Sequence, residues 1–182
     1  AGELIIGMAL GFALAMAMAA AMVAGELISN TMGLGFAAMS DPMTGYASPA
    51  IGQFLMMVTS LLFLASDGHL ALIGVIVESY SRLPPGGGLG WIGIGQMVDF
   101  SAIMLSAGLV VALPVAGAMV LVQVMMGIIA RAAPTLNLFA VGMPATVLAG
   151  LIFLAIALPV MADRLLTTMG TAMQLAAGLG HG

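Results

Sequence analysis

Two uncharged stretches decide the fold of this chain: FSAIMLSAGLVVALPVAGAMVLVQVMMGIIA, residues Phe100–Ala130, and AAPTLNLFAVGMPATVLAGLIFLAIALPVMA, residues Ala132–Ala162. Each stretch is 31 residues long, and a single arginine, Arg131, separates them. About 20 apolar residues suffice for a helix to cross the hydrocarbon core of a bilayer. The two stretches therefore predict a long helical hairpin of the membrane type. Because a buried guanidinium is costly, we expect Arg131 to reach water, a lipid headgroup or a partner.

The composition of the whole chain points the same way. Of its 182 residues, 63% are hydrophobic and 5% are charged, and none is lysine. A soluble domain carries about 25% charged residues, so most of this chain must face lipid, other helices or other subunits. The net charge of −4 argues against a nucleic-acid partner. The absence of cysteine excludes disulfides and thiolate metal sites.

The N-terminal part predicts one long helix. Leu4–Gly25 is uncharged and long enough to span a bilayer, and a more polar extension leads toward Met39. Small residues at every fourth position either let another helix approach closely or follow from the abundance of alanine; they are Gly7, Gly11, Ala15 and Ala19. The first apolar run is not typical of a signal peptide, because no basic region precedes it and no small-residue cleavage site follows it. We expect the chain to start inside a longer protein or to have lost its N-terminus.

Turn residues divide the rest of the chain. Ser40–Gly45 predicts a turn, and Ser48-Pro49 predicts the start of a helix that ends near Ser66. Asp67-Gly68 predicts a tight reversal before a second short helix, about His69–Leu83. Both helices are short for full spans, which favours a bent or re-entrant hairpin.

A glycine- and proline-rich loop then precedes two long helices. The first is predicted from near Gln96 to Arg131 with a kink at Pro114. The second is predicted over about Leu138–Ala177, and Pro144 and Pro159 are expected to interrupt it.

Few side chains carry chemistry. Glu78 stands four residues before Arg82, and an acid that precedes a base by this spacing is the favourable order on a helix. We expect either a structural ion pair between them or a contact to a partner subunit. Gln123, Gly127 and Arg131 share one broad helix face, so Arg131 either snorkels to headgroups or turns inward at a subunit seam or pore.

Two groups of residues have the letters of catalytic or cofactor motifs but lack the surrounding structure that such motifs need. Ser66, Asp67 and His69 are the residue types of a hydrolytic triad, but neighbours on one turn cannot point at one another, so turn capping is expected. Gly88-x-Gly90-x-x-Gly93 has the letters of a dinucleotide fingerprint without a preceding strand or a later acid, and we expect no cofactor.

Three blocks of sequence carry a family resemblance. They are Asp41-Pro42-x-x-Gly45 with Ser48-Pro49 and Gln53-Phe54-Leu55; Asp67-Gly68-His69 with Glu78-Ser79-Tyr80 and Leu83-Pro84; and Ala130-Arg131-Ala132-Ala133-Pro134 with Asn137-x-Phe139 and Gly142-x-Pro144. In these blocks and in their order, the chain resembles the FliR and SctT family of flagellar and virulence-secretion export proteins. Members of that family have further hydrophobic helices before the position of Ala1.

The resemblance implies an all-α, polytopic membrane-type protein with long bent helices and helical hairpins. It implies an N-terminally truncated FliP-like part at 1–83 with a 49–83 hairpin, a Gly/Pro loop at 84–96, and a FliQ-like long hairpin at 97–182. It also implies candidate residues at subunit seams or the channel, which are Gln53, Glu78, Arg82, Gln123, Arg131 and Asn137. The family-motif turn residues are Asp41, Pro42, Gly45, Pro49, Asp67, Gly68 and Pro134.

The function that the resemblance implies is non-enzymatic. The chain would form part of the wall of a type III export gate in the bacterial inner membrane, at the flagellar basal body, through which unfolded subunits pass. The implied partners are FliP-like and FliQ-like gate subunits and FlhB-like and FlhA-like export proteins. Two alternatives stay open from the residues alone: a small-molecule transporter or channel subunit, and an intramembrane protease that uses His69.

Overall fold

The chain folds into long α-helices. A computed structural model describes residues 2–35, 50–82, 91–132 and 138–178. The helices in this part of the chain are α1 (Gly2–Thr31), α2 (Ala50–Ala65), α3 (Gly68–Arg82), α4 (Trp91–Ala132) and α5 (Leu138–Gly178). No strand occurs in these residues, so the fold is all-α as the sequence predicts.

Helix α1 ends in a glycine-based C-cap. Gly33 has φ +82°, the left-handed conformation that glycine adopts without strain. The amide of Leu34 donates to the Ser29 carbonyl at 3.0 Å, and the amide of Gly33 donates to the Asn30 carbonyl at 3.1 Å. These two bonds form a Schellman motif, which stops a helix. The predicted extension is confirmed as far as Thr31, where the cap at Gly33 ends α1; residues 36–39 lie outside the described residues.

Helices α2 and α3 meet at a bend. Their axes turn through 68° at the junction, so the tight reversal predicted at Asp67-Gly68 is wrong and the pair is bent. Asp67 has φ +56°, which short polar side chains tolerate better than most. Gly68 is buried, and a methyl group there would overlap the ring of Phe63. A side chain at Gly68 would therefore push the two helices apart.

Helices α4 and α5 run continuously through their prolines. Pro114 lies inside α4, and Pro144 and Pro159 lie inside α5, so the predicted interruptions of the last helix are wrong. All three rings are on exposed faces, where they displace no packed neighbour. Helix α4 begins at Trp91, five residues before the predicted start, despite the helix cost of about 1 kcal/mol for each early glycine.

Helix α1 lies at the centre of the packing and contacts α2, α4 and α5. It runs parallel to α4 and antiparallel to α5, because its N-terminal half packs on the start of α4 and the end of α5. An upper cluster surrounds its C-terminal half, and includes Ile28, Met32, Leu55, Val115, Met119, Met161 and Leu165. A lower cluster surrounds its N-terminal half, and includes Leu10, Phe63, Phe100, Met104 and Met169. Both clusters combine residues of 1–83 and of 97–182, and the predicted division of the chain stays a prediction.

The close helix contacts use other small residues than the predicted stripe. A methyl group would have open space at Gly7 and at Gly11. The face of α1 that packs is instead an alanine face, formed by Ala9, Ala13, Ala17, Ala20, Ala21 and Ala24. At Gly25 the backbone of α1 touches the backbone of α2 at Gly52, so Gly25 has no room for a side chain, whereas a methyl group at Gly52 would stand 3.2 Å from the Met22 sulfur. The sequence pattern identified a helix rich in small residues, but the residues of the predicted stripe do not lie on the face that packs.

Within the described residues, three helices are long and apolar enough to cross a membrane. The segments are Gly7–Thr31, Val98–Ala132 and Val141–Gly178, and the bent α2–α3 pair would make a fourth span. Helices α4 and α5 have 42 and 41 residues. At 1.5 Å per residue each is about 60 Å long, roughly twice the thickness of the hydrocarbon core. Neither helix fits a bilayer unless it is strongly tilted or extends well beyond it.

Candidate subunit interface

The outer face of α4 and α5 is apolar and has no partner within the described residues. Leu121 is 67% exposed and Ile156 is 70% exposed. Large apolar side chains accompany them along both helices; these include Leu105, Leu113, Val124, Met125, Ile128, Leu148 and Ile152. So many exposed apolar side chains along two neighbouring helices mark an interaction with protein or lipid. We call these exposed apolar residues the outer hairpin face.

One predicted seam residue reaches inward to another part of the same chain. The Nε2 atom of Gln123 on α4 donates to the carbonyl of Thr31 at the end of α1, at 2.7 Å. Thr146 on α5 donates to the next carbonyl, that of Met32, at 3.3 Å. The same hydroxyl lies 2.9 Å from the Met143 carbonyl of its own helix. The sequence could not reveal these contacts, because their partners lie 92 and 114 residues away.

Arg131 is exposed in the last turn of α4. A cation there interacts favourably with the carbonyl end of the helix. It stands eight residues beyond Gln123, about 12 Å along the axis. Gln123, Gly127 and Arg131 are all exposed on α4, so their predicted shared face stays a prediction, and Gln123 also bonds to the end of α1.

The remaining seam candidates lie on α2 and α3 or outside the described side chains. Gln53 is exposed beside the close crossing at Gly52, and Glu78 is exposed on α3. The side chain of Arg82 lies outside the described part, so its pairing with Glu78 stays a prediction. Asp67 and Gly68 lie at the α2–α3 bend. The other predicted residues lie outside the described residues; they are Asp41, Pro42, Gly45, Pro49, Pro134 and Asn137.

Three charged residues that the sequence analysis did not single out lie at the ends of the two uncharged stretches of the hairpin. Asp99 precedes Phe100, and Asp163 and Arg164 follow Ala162; all three charges are exposed. These charges bound the two uncharged stretches, and their place in the sequence could have identified them. Because Met161 and Leu165 pack on α1, Asp163 lies level with the apolar part of α1. The apolar segments of α1 and of the hairpin are therefore out of register.

The hydrolytic residue types do not form a triad. Ser66 donates through Oγ to the Phe63 carbonyl at 3.2 Å, and the Asp67 carbonyl accepts the amides of Leu70 and Ala71. The buried Nδ1 of His69 has no hydrogen-bond partner in the described part of the chain. Serine and aspartate thus act in the turn, as the sequence predicts. Across residues 2–35, 50–82, 91–132 and 138–178, no cluster of three metal-ligating side chains was found.

A shallow cavity of about 200 Å³ opens between α1 and α3. Gly7 and Gly11 form one wall, and Leu72, Ile76 and Tyr80 form the other. The hydroxyl of Ser79 at its edge already donates to the Ile76 carbonyl at 2.7 Å. Such a lining provides apolar contact and no arrangement for catalysis.

Comparisons with known proteins agree with these features. The family described as bacterial export proteins, family 1, matches residues 1–172. The flagellar biosynthetic protein FliR of Escherichia coli K12 is 34% identical over 161 residues, which cover 88% of this chain and 62% of that protein. FliR of Bacillus subtilis is 32% identical over 87% of this chain and 62% of its own length.

A relative from another system also matches. The surface presentation of antigens protein SpaR of Shigella flexneri is 25% identical over 78% of this chain and 55% of its own length. The chain thus spans about three fifths of the length of the curated relatives it matches. With nearly its whole length matched by one family and its helices long and apolar, the chain belongs to the bacterial export proteins of family 1.

Proposed function

We propose that this chain forms part of the helical wall of a type III protein export gate in the bacterial inner membrane. The family match over residues 1–172 carries the proposal. Its relatives are named for flagellar biosynthesis and for surface presentation of antigens. A role common to both is passage of proteins through the membrane. In this proposal the chain is a structural component without an enzymatic step, and its cargo is unfolded export substrate.

The mismatch between helices supports a protein environment over a simple bilayer. A single flat layer that contained the apolar part of α1 would also contain Asp163 and Arg164 of α5, which is costly in hydrocarbon. Helices about 60 Å long exceed the layer as well. Both problems disappear when the outer hairpin face packs on helices of other subunits, which can extend beyond the bilayer.

The proposed partners are FliP-like and FliQ-like gate subunits, with FlhB-like and FlhA-like proteins as further components. Among the candidate seam residues, Gln53 and Arg131 have exposed side chains that a partner could contact. Gln123 uses its donor within the chain. We therefore assign the seam to Gln53 and Arg131 as a hypothesis. Export that stays normal when both are replaced by alanine would contradict it.

Purification from the native membrane tests the proposal. An affinity-tagged chain, extracted in mild detergent, is expected to bring down FliP-like and FliQ-like subunits in a defined complex. Deletion of its gene is expected to abolish secretion of flagellar subunits into the medium. A chain that runs alone or as a homo-oligomer, in cells that still secrete these subunits, would favour the small-molecule transporter alternative and overturn the proposal.

A further inference from the structure

The C-terminal end of α1 receives a donor for every carbonyl from Ile28 to Met32. The Ile28 carbonyl accepts the amide of Met32 at 2.9 Å and the hydroxyl of Thr31 at 2.8 Å. The carbonyls of Ser29 and Asn30 accept the amides of the Schellman motif. The last two carbonyls accept the side chains of Gln123 and Thr146. A helix ordinarily leaves several of these carbonyls to water.

The surroundings of this end are mixed: Thr31 is half-buried and Gln123 is exposed, beside apolar side chains. Ile28 and Met32 are buried at 0% and 1% exposure. The Met32 side chain lies over Gly150 of α5, where a methyl group would stand 2.9 Å from its sulfur. Val124 and Met125, next to Gln123, belong to the outer hairpin face. Because the exposed side chains around Gln123 are apolar, lipid or another subunit rather than water would cover this end, and its carbonyls would then need donors from the protein.

We propose that Gln123 and Thr146 are positioning residues that form a clasp around the end of α1. The clasp takes the place of water at the last two carbonyls of α1. Helix α1 can therefore end among apolar side chains rather than at a water-facing surface. The clasp also fixes the register of α1 against α4 and α5, because Gln123 reaches the Thr31 carbonyl and Thr146 reaches the next carbonyl along the chain. Gln123 carries the larger share, since Thr146 shares its hydroxyl with Met143 of its own helix. The inference concerns this chain alone and stands apart from the proposed export role.

Amide hydrogen exchange on the full chain in detergent micelles tests the clasp. Gln123→Met keeps the length of the side chain and removes its donor. Exchange of the Gly33 and Leu34 amides is expected to rise about fivefold, the factor for one hydrogen bond of ordinary net strength. Thr146→Val is expected to give a smaller rise. Thr146→Ser keeps the hydroxyl and is expected to restore protection.

Matched controls lie on the lower part of α5. Gln174 is exposed, and Thr171 donates only to the Thr167 carbonyl of its own helix. Gln174→Met and Thr171→Val repeat the same chemical changes away from the clasp and are expected to leave exchange at Gly33 and Leu34 unchanged. Equal effects in controls and clasp variants, or no effect in either, would overturn the proposal. A uniform rise that includes the lower cluster would also overturn it, because a clasp acts on the end of α1.

Discussion

The close backbone contact between α1 and α2 gives a sharp test of the packing. Helices α1 and α2 touch through backbone at Gly25 and Gly52. In Gly25→Ala the added methyl carbon would stand 2.8 Å from the carbonyl carbon of Ile51 and closer still to Gly52. Carbon atoms prefer separations of about 3.5–4.0 Å. Because the obstacle is backbone, no side chain can rotate away, and the two helices must separate.

The expected magnitude follows from two opposing effects. Overpacking a core costs about 1–3 kcal/mol, and a collision with backbone belongs at the upper end of that range. Alanine in place of glycine returns about 1 kcal/mol through helix propensity. Gly25→Ala should therefore lose about 2 kcal/mol of stability, by the difference of these figures. At Gly117 a methyl group has open space, so Gly117→Ala should gain up to about 1 kcal/mol.

Thermal unfolding of the detergent-solubilised chain, followed by helical circular dichroism, separates these outcomes. For a chain of this size, 1 kcal/mol corresponds to about 2–4 °C in Tm. Gly25→Ala is expected to lower Tm by about 4–8 °C, whereas Gly117→Ala is expected to raise it by up to about 4 °C. A Gly25→Ala variant as stable as Gly117→Ala would refute the close backbone contact between α1 and α2.

Three further substitutions address the interface, the bend and the core. Ile156→Asp places a charge on the outer hairpin face and is expected to abolish recovery of partner subunits in the purification. Thr171→Asp, on the polar lower part of α5, should leave this recovery intact. Equal recovery with both variants would argue against the face as an interface. Asp67→Val should cost about 1–2 kcal/mol because a β-branched residue resists the left-handed backbone at φ +56°, and Asp67→Gly should be neutral or stabilising; the Tm values decide. Met161→Ala empties a fully buried site and should cost about 2–5 kcal/mol in the same melts, and a loss below 1 kcal/mol would contradict its place in the upper cluster.

The sequence predicts the helices better than their packing. Uncharged length and turn residues place α5 and the α2–α3 junction close to where the structure has them. The central position of α1 could not be predicted, because apolar residues surround this helix and periodicity marks no face. The open side of α1 carries Gly7 and Gly11, while its alanines pack. Small residues on both sides made the two faces look alike.

The prolines and the clasp show a second limit of sequence reasoning. Pro144 and Pro159 predict interruptions because proline lacks an amide donor, yet α5 continues through both on its exposed side. Membrane-type helices tolerate proline when neighbours accommodate it. Gln123 was identified as a polar residue in an apolar stretch, but its partner lies on a helix 92 residues away. Pairings of this kind depend on tertiary structure, and no local pattern encodes them.

The central claim is that protein rather than lipid alone covers the outer hairpin face. A photo-activatable cross-linking residue at Ile156, introduced in the living cell, tests it directly, because this side chain is 70% exposed on α5. Irradiation is expected to join the chain covalently to a second export-gate subunit. The same residue at Leu165, which is 1% exposed, is expected to give no such product. Adducts with lipid alone from Ile156, or none with any protein, would contradict the account.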